Sequence, residues 1–185
     1  IIVTGLYIII GLIILAVLAA KLYLAAAGIE DIRVDASAPV VLEAKDSESI
    51  SLSKELKFWN EGKQCATIMD AICRSQLPYE QYDGIEVRAK AEREGEIRED
   101  DYFEAVIIQK KGYVRNEDHL NVYAKVKLLP RKGLSLNEAL SHMVDLPLDF
   151  IWQETGRTPW HYRKLRLVIT AEEIAKLAGV ELVKD

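Results

Sequence analysis

Charge is missing from the start of this chain. Ile1 to Ala20 contain no Asp, Glu, Lys or Arg, and only Thr4 and Tyr7 bring polar atoms. A charge-free run of this length is uncommon in the core of a soluble protein. Basic excess is missing as well: 24 Lys and Arg stand against 29 Asp and Glu, for a formal net charge of -5. That is the wrong sign for a chain whose main partner is nucleic acid, because phosphate binding rests on a basic field. Glycine-rich phosphate loops, G-x-S-x-G, H-E-x-x-H and haem motifs are absent, and so is any Asn-x-Ser/Thr sequon. No reaction is announced, so the expectation is a protein that is not an enzyme and holds no cofactor. Internal repeats and low-complexity linkers are lacking too.

What is present begins with the apolar run itself. At about 1.5 Å per residue, some twenty residues cover a ~30 Å hydrocarbon core, and an unbroken helix satisfies its own backbone groups there. Residues 1–28 therefore read as a transmembrane helix that stops at Gly28. Lys21 and Tyr23 are the expected membrane-interface residues, the lysine by snorkelling and the tyrosine as an interfacial aromatic, while Leu22 to Ala27 continue the apolar wall. Ala25, Ala26 and Ala27 also suit a signal peptidase, but the run is longer than a usual signal core, which favours a retained anchor. An apolar start at Ile1 fits both a signal anchor and a trimmed, pilin-like precursor. Residues 29–39, punctuated by Ser37 and Pro39, read as a linker.

The ~155 residues that remain match one ordinary domain. Their pattern changes to alternation. In Gly84 to Glu94, Ile85, Val87, Ala89 and Ala91 share one face, and Glu86, Arg88, Lys90 and Glu92 share the other, as in a strand covering a core. Val122, Ala124, Val126 and Leu128 repeat the device, with Tyr123, Lys125 and Lys127 opposite. Further strands are expected over Ile32–Leu42, Ser49–Trp59, Gln64–Arg74, Tyr102–Gln109, Leu148–Gln153 and His161–Ile169, with turn chemistry at Asn60-Glu61-Gly62, Asp83-Gly84, Lys111-Gly112 and Gly156. Two helices have capping boxes: Ser135 with Glu138 opens Leu136–Val144, and Thr170 with Glu173 opens Ala171–Ala178 before Gly179. The fold class expected is mainly β: residues 40–185 form an antiparallel, immunoglobulin-like β-sandwich with two short helices. Leu56 through Asn60, Gly62 and Thr67 resembles the strand-turn-strand entry of bacterial and archaeal immunoglobulin-like modules.

Candidate sites are few. Cys65 and Cys73 are the only cysteines and form a possible disulfide, but only if the chain turns near Met69-Asp70. As one strand, eight residues at ~3.3 Å hold the pair more than 20 Å apart, and Cys65, Thr67, Met69, Ala71 and Cys73 then share a buried face. No His lies near enough in sequence to complete a metal set with them. His119, His142 and His161 are scattered. Glu99-Asp100-Asp101, with Glu104, lack the spacing of a calcium loop. Arg157, Trp160, His161, Tyr162, Arg163, Lys164 and Arg166 mix basic and aromatic side chains and form a candidate contact surface for headgroups, anionic glycans or an acidic partner.

Together these features point to a single-pass, membrane-anchored structural or accessory subunit. Its sandwich stands outside the cytoplasm and contacts other envelope proteins, with the plasma membrane as its address. The alternative is a filament subunit in which residues 1–28 pack against neighbouring copies rather than lipid. An apolar N-terminal helix followed by an immunoglobulin-like domain resembles archaeal pilins and archaellins in architecture.

Overall fold

The apolar run is a single helix, α1 (Ile2–Ala27), about 39 Å long at 1.5 Å per residue. In the computed structural model, which describes residues 2–96, 102–112 and 119–183, no residue from Gly5 to Ala27 is buried, and 6–26 are all exposed. Gly28 ends the helix with a left-handed φ of 70°, the conformation only glycine adopts without a Cβ penalty.

Beyond it the protein is a β-sandwich. The first sheet contains β1 (Ile32–Asp35), β2 (Val40–Lys45), β3 (Ile50–Asn60), β5 (Ile85–Arg93) and β8 (Leu120–Pro130), and β1 and β2 share one side of β3. The second contains β4 (Ala66–Ser75), β6 (Tyr102–Phe103), β7 (Val106–Ile108), β9 (Leu146–Thr155) and β10 (His161–Ile169), with β6 and β7 sharing one side of β4. Every described pairing is antiparallel. From β3 to β9 the chain crosses between the sheets at every step except β6 to β7, and among the described residues only β2–β3 and β9–β10 are consecutive strands that pair with each other.

Alternation builds the core. Ile50, Leu52, Leu56 and Phe58 of β3 and Val122, Ala124, Val126 and Leu128 of β8 face Leu148, Phe150 and Trp152 of β9, all buried. Phe58 reaches across the sheets, its ring centroid 6.0 Å from Phe150 and 5.2 Å, edge-on, from Trp152. Helices α2 (Leu136–Ser141) and α3 (Ala171–Ala178) close the end remote from α1. Thr170 and Glu173 form the full capping box on α3 and Gly179 ends it at φ 68°, as expected. On α2, Ser135 accepts from the Glu138 N–H, and the helix stops at Ser141, three residues before the expected end at Val144.

Four expectations are corrected. Ile32–Leu42 is two strands, because the chain leaves β3 at Ala36 to Pro39 and returns; Lys54 holds this crossing, its Nζ donating to the Ala38 carbonyl at 2.6 Å. For the same reason residues 29–39 are not a free linker: β1 pairs with β3 from Ile32↔Asn60 to Asp35↔Lys57, and Ile32 is buried. Tyr102–Gln109 likewise divides into β6 and β7. Finally, β4 changes face midway. Met69 pairs with Gln153 and Ile72 with Ile151, so Asp70 and Ala71 oppose Trp152 alone, which is a β-bulge. The extra residue turns Ala66 and Ile68 inward before the bulge and Ala71 and Cys73 inward after it, and leaves Cys65 exposed.

Asp70 occupies the bulge at φ 49°. Left-handed backbone costs a residue with a Cβ about 1–2 kcal/mol, more when it is β-branched. Asp70→Gly is therefore expected to raise the melting temperature of the detergent-solubilised chain, and Asp70→Val to lower it. Equal melting of the two variants would count against the bulge.

Candidate functional site

The end of the sandwich nearest α1 is where the chain's unusual polar contacts gather. A helix terminus leaves its last carbonyls without partners, and α1 has no basic residue in its last turn. The domain supplies the missing donors. Gln64 Nε2 donates to the Ala27 carbonyl at 2.7 Å, and Arg157 Nη1 donates to that of Gly28 at 3.2 Å. The Lys63 N–H donates to Ile29 O at 2.9 Å and that of Glu61 to Asp31 O at 2.8 Å. Asn60 ties the β3–β4 turn to the same segment: its Oδ1 accepts from Asp31 N at 3.1 Å and Gly62 N at 2.8 Å, while its Nδ2 donates to Gln64 O at 2.8 Å.

The strongest tie is Glu30, 5% exposed. Its carboxylate accepts from the N–H groups of Arg157 and Thr158, both at 2.9 Å, and from the Thr158 hydroxyl. Burial pushes this carboxyl upward, but the bonds from Thr158 and Arg157 outweigh it and hold the group below its ordinary value. Two glycines make the approach possible. A Cβ on Gly62 would stand 2.4 Å from Asp31 N and 2.5 Å from Ile29 O, and one on Gly156 would stand 2.4 Å from the Glu30 carboxyl carbon. The helix exit is thus clasped between the β3–β4 turn and the β9–β10 turn.

Below the clasp lies a second buried acid. Glu154 is at the end of β9, with Trp152 Nε1 donating to it at 3.3 Å and Arg163 Nη1 at 3.5 Å. Arg163 also stacks over the Trp152 ring, 5.6 Å from its centroid, and reaches the Ile32 carbonyl at 3.5 Å.

The candidate contact surface is divided by the pleat of β10. His161 and Arg163 lie on the side that carries buried Leu167 and Ile169, and the other side presents Tyr162, Lys164 and Arg166. Arg166 and Lys164 are engaged with Asp149, whose carboxyl the Arg166 bond, chiefly, holds below its ordinary value. Arg157 is drawn to the helix exit. Trp160 and Tyr162 remain 64% and 62% exposed and meet edge to face at 6.0 Å. Gln153 Nε2 donates to the Tyr162 hydroxyl at 2.6 Å. Lys21 and Tyr23 are both exposed on α1.

Cys65 and Cys73 are both free, so the possible disulfide is not formed. Cys65 directly precedes β4, and Cys73 lies within it beyond the bulge. The Cys65 thiol sits 3.2 Å from Gln109 Oε1, whereas burial, with the Asp149 charge, pushes the Cys73 thiol up to about 12. A maleimide is expected to add once to the native chain, at Cys65, and twice after denaturation without reductant, as read by intact mass; a chain that adds none even when denatured would restore the bridge. His119, His142 and His161 remain apart. Among the described residues no group of three or more His, Cys, Asp or Glu is placed to hold a metal ion. Residues 99–101 of the acidic run lie outside the described residues.

One further concavity, of about 350 Å³, lies on the outer face of the first sheet between Glu43, Ser51, Arg88, Lys90, Glu92 and Lys125. Glu92, expected to face water, is buried there because it bridges Lys90 at 2.7 Å and Lys125 at 2.6 Å, with Glu43 also on Lys125 at 3.2 Å. Lys90 and Lys125 stand directly opposite across the β5–β8 ladder, a like-charge pairing that destabilises unless countered. Glu92 counters it.

No family model matches this sequence, and no curated protein matches it. Among solved structures, the chain is similar to the GAE domain of yeast GGA1, with a TM-score of 0.37 and 9% identity over 75% of this chain and 90% of that one. It is also similar to the GAE domain of GGA2p from Saccharomyces cerevisiae, with a TM-score of 0.29 and 5% identity over 70% of this chain and 96% of that one. Likeness at this level leaves the site to be read from its own residues.

Proposed function

We propose that this protein is a single-pass, membrane-anchored structural or accessory subunit. Its immunoglobulin-like sandwich is held outside the cytoplasm, at the plasma membrane, and makes protein contacts in an envelope assembly. One observation carries the reading: the 23-residue stretch Gly5–Ala27 of α1, apolar but for Lys21, has no residue buried by the rest of the described chain. Leaving that much apolar surface in water is unfavourable in proportion to its area, so something else must cover it. Lipid fits the length of the helix, and Lys21 and Tyr23 fit the level where hydrocarbon gives way to headgroups.

The helix would also be covered if copies bundled into a fibre core. Lys21 then needs a partner or a route to water inside the bundle, which makes lipid the better cover. Two measurements test the proposal. After alkaline carbonate washing the chain is expected to stay with the membrane, and after mild detergent extraction native mass analysis is expected to find it with other proteins. A chain released by carbonate, or one that always runs alone, would refute the corresponding half. Filaments of this chain in sheared surface material would replace the proposal with the fibre.

A further inference from the structure

Trp160 and Tyr162 form an aromatic pair that the described residues leave exposed. Their rings meet at 89°, and the Tyr162 hydroxyl is held by Gln153, so the pair is fixed in place. Its position relative to α1 is set by the clasp. Arg157 donates to the Gly28 carbonyl, one residue past the end of the helix, and the Arg157 and Thr158 N–H groups end on Glu30. Three residues of chain span at most about 10 Å, so Trp160 lies within that distance of Arg157. The level of the helix exit follows from α1. Lys21 precedes Ala27 by six residues, or about 9 Å of helix. With the Lys21 ammonium at the edge of the hydrocarbon, Ala27 and the clasp stand among the headgroups.

We infer that the β9–β10 turn is a second membrane contact, in which Trp160 and Tyr162 enter the headgroup layer beside the exit of α1. The inference rests on the anchored reading above. The chemistry suits that layer: an indole and a phenol each have an apolar body and one polar group, the combination enriched where water meets hydrocarbon. Exposed Ile29 and the cations Lys63 and Arg157 ring the same exit, and Lys and Arg at this depth favour phosphate-bearing lipid. Helix and turn together give the sandwich two attachments, which fix its orientation on the bilayer where one would leave it free to spin.

Trp160 reports on this directly. The full chain is reconstituted in phosphatidylcholine–phosphatidylglycerol vesicles, with and without a nitroxide on the phosphatidylcholine headgroup. The fluorescence of a Trp160→Phe variant is subtracted, which removes the contributions of Trp59 and Trp152. Flotation on a density gradient is scored on the same samples. The expected result is a chain that floats with the vesicles and a Trp160 emission that is lost to the nitroxide. A chain that floats while Trp160 emission persists overturns the second contact and leaves the anchor standing, with the aromatic pair free for a protein partner. A chain that does not float overturns both.

Discussion

Glu30→Ala is expected to release the helix exit from the sandwich. Hydrogen bonds to a charged group contribute about 1.5–3 kcal/mol each, and the Glu30 carboxylate accepts three from Arg157 and Thr158. Water replaces part of this in the variant, leaving a loss of about 2–3 kcal/mol. At 1.4 kcal/mol per factor of ten, the open form of the clasp should then be populated about 30- to 150-fold more. Hydrogen exchange at the Arg157 and Thr158 amides reads this, and so does trypsin cleavage at Arg157. Glu30→Gln, which keeps one acceptor oxygen, should fall between the two. Unchanged amide protection in Glu30→Ala would mean that the bonds do not hold the exit.

The same contact has a pH signature whose sign is fixed. The folded state holds the Glu30 carboxyl below its ordinary value. Its contribution is therefore complete above the unfolded glutamate value of about 4.3 and is lost as pH falls through the lowered folded value. Glu92 and Asp149 shift in the same direction, so acid weakens them as well. The part due to Glu30 is the difference in acid sensitivity between the parent and Glu30→Gln.

Phe58→Ala should be the costlier change to the domain as a whole. Phe58 is fully buried and is the ring through which β3 of one sheet meets Phe150 and Trp152 of the other. Truncating such a residue removes transfer energy and leaves a cavity, at about 3–5 kcal/mol. For a domain of this size that lowers the melting temperature by about 6–20 °C. Calorimetry of the full chain in detergent measures it. A loss below about 1 kcal/mol would show that the rings do not form the interior contact between the sheets.

Much of the fold could be read from local pattern, because its signals lie within a few residues of one another. Alternation placed the core faces of β5 and β8, and Thr170, Glu173 and Gly179 marked both ends of α3. The divided strands were harder. Ser37 and Pro39 punctuate the break between β1 and β2, yet both pieces alternate, so period alone runs them together. The bulge at Asp70 was hidden for a different reason: one inserted residue reverses every later face, and composition does not announce it. Glu92 reads as water-facing because its partner Lys125 comes from another strand.

The candidate site was legible only in part. Its exposed half, Trp160 and Tyr162 among cations, stands out as a contiguous run. Its buried half does not, since Glu30 meets Thr158 across 128 positions, and nothing near Glu30 in sequence marks it as an acid that will be buried. The only hints were the glycines at 62 and 156, which read as turns and serve also as close approaches.

The clasp has a mechanical meaning. Eleven free residues between positions 29 and 39 would form a slack tether with an end-to-end distance of about 18 Å, and pulling on the sandwich would simply draw it taut. Instead the chain is gripped two residues beyond Gly28, from two separate turns. Such a joint behaves as a weld rather than a swivel. A sideways load on the far end, where α2 and α3 sit, arrives at the helix as torque, and in the anchored arrangement proposed here it would be felt as a tilt of α1 in the bilayer.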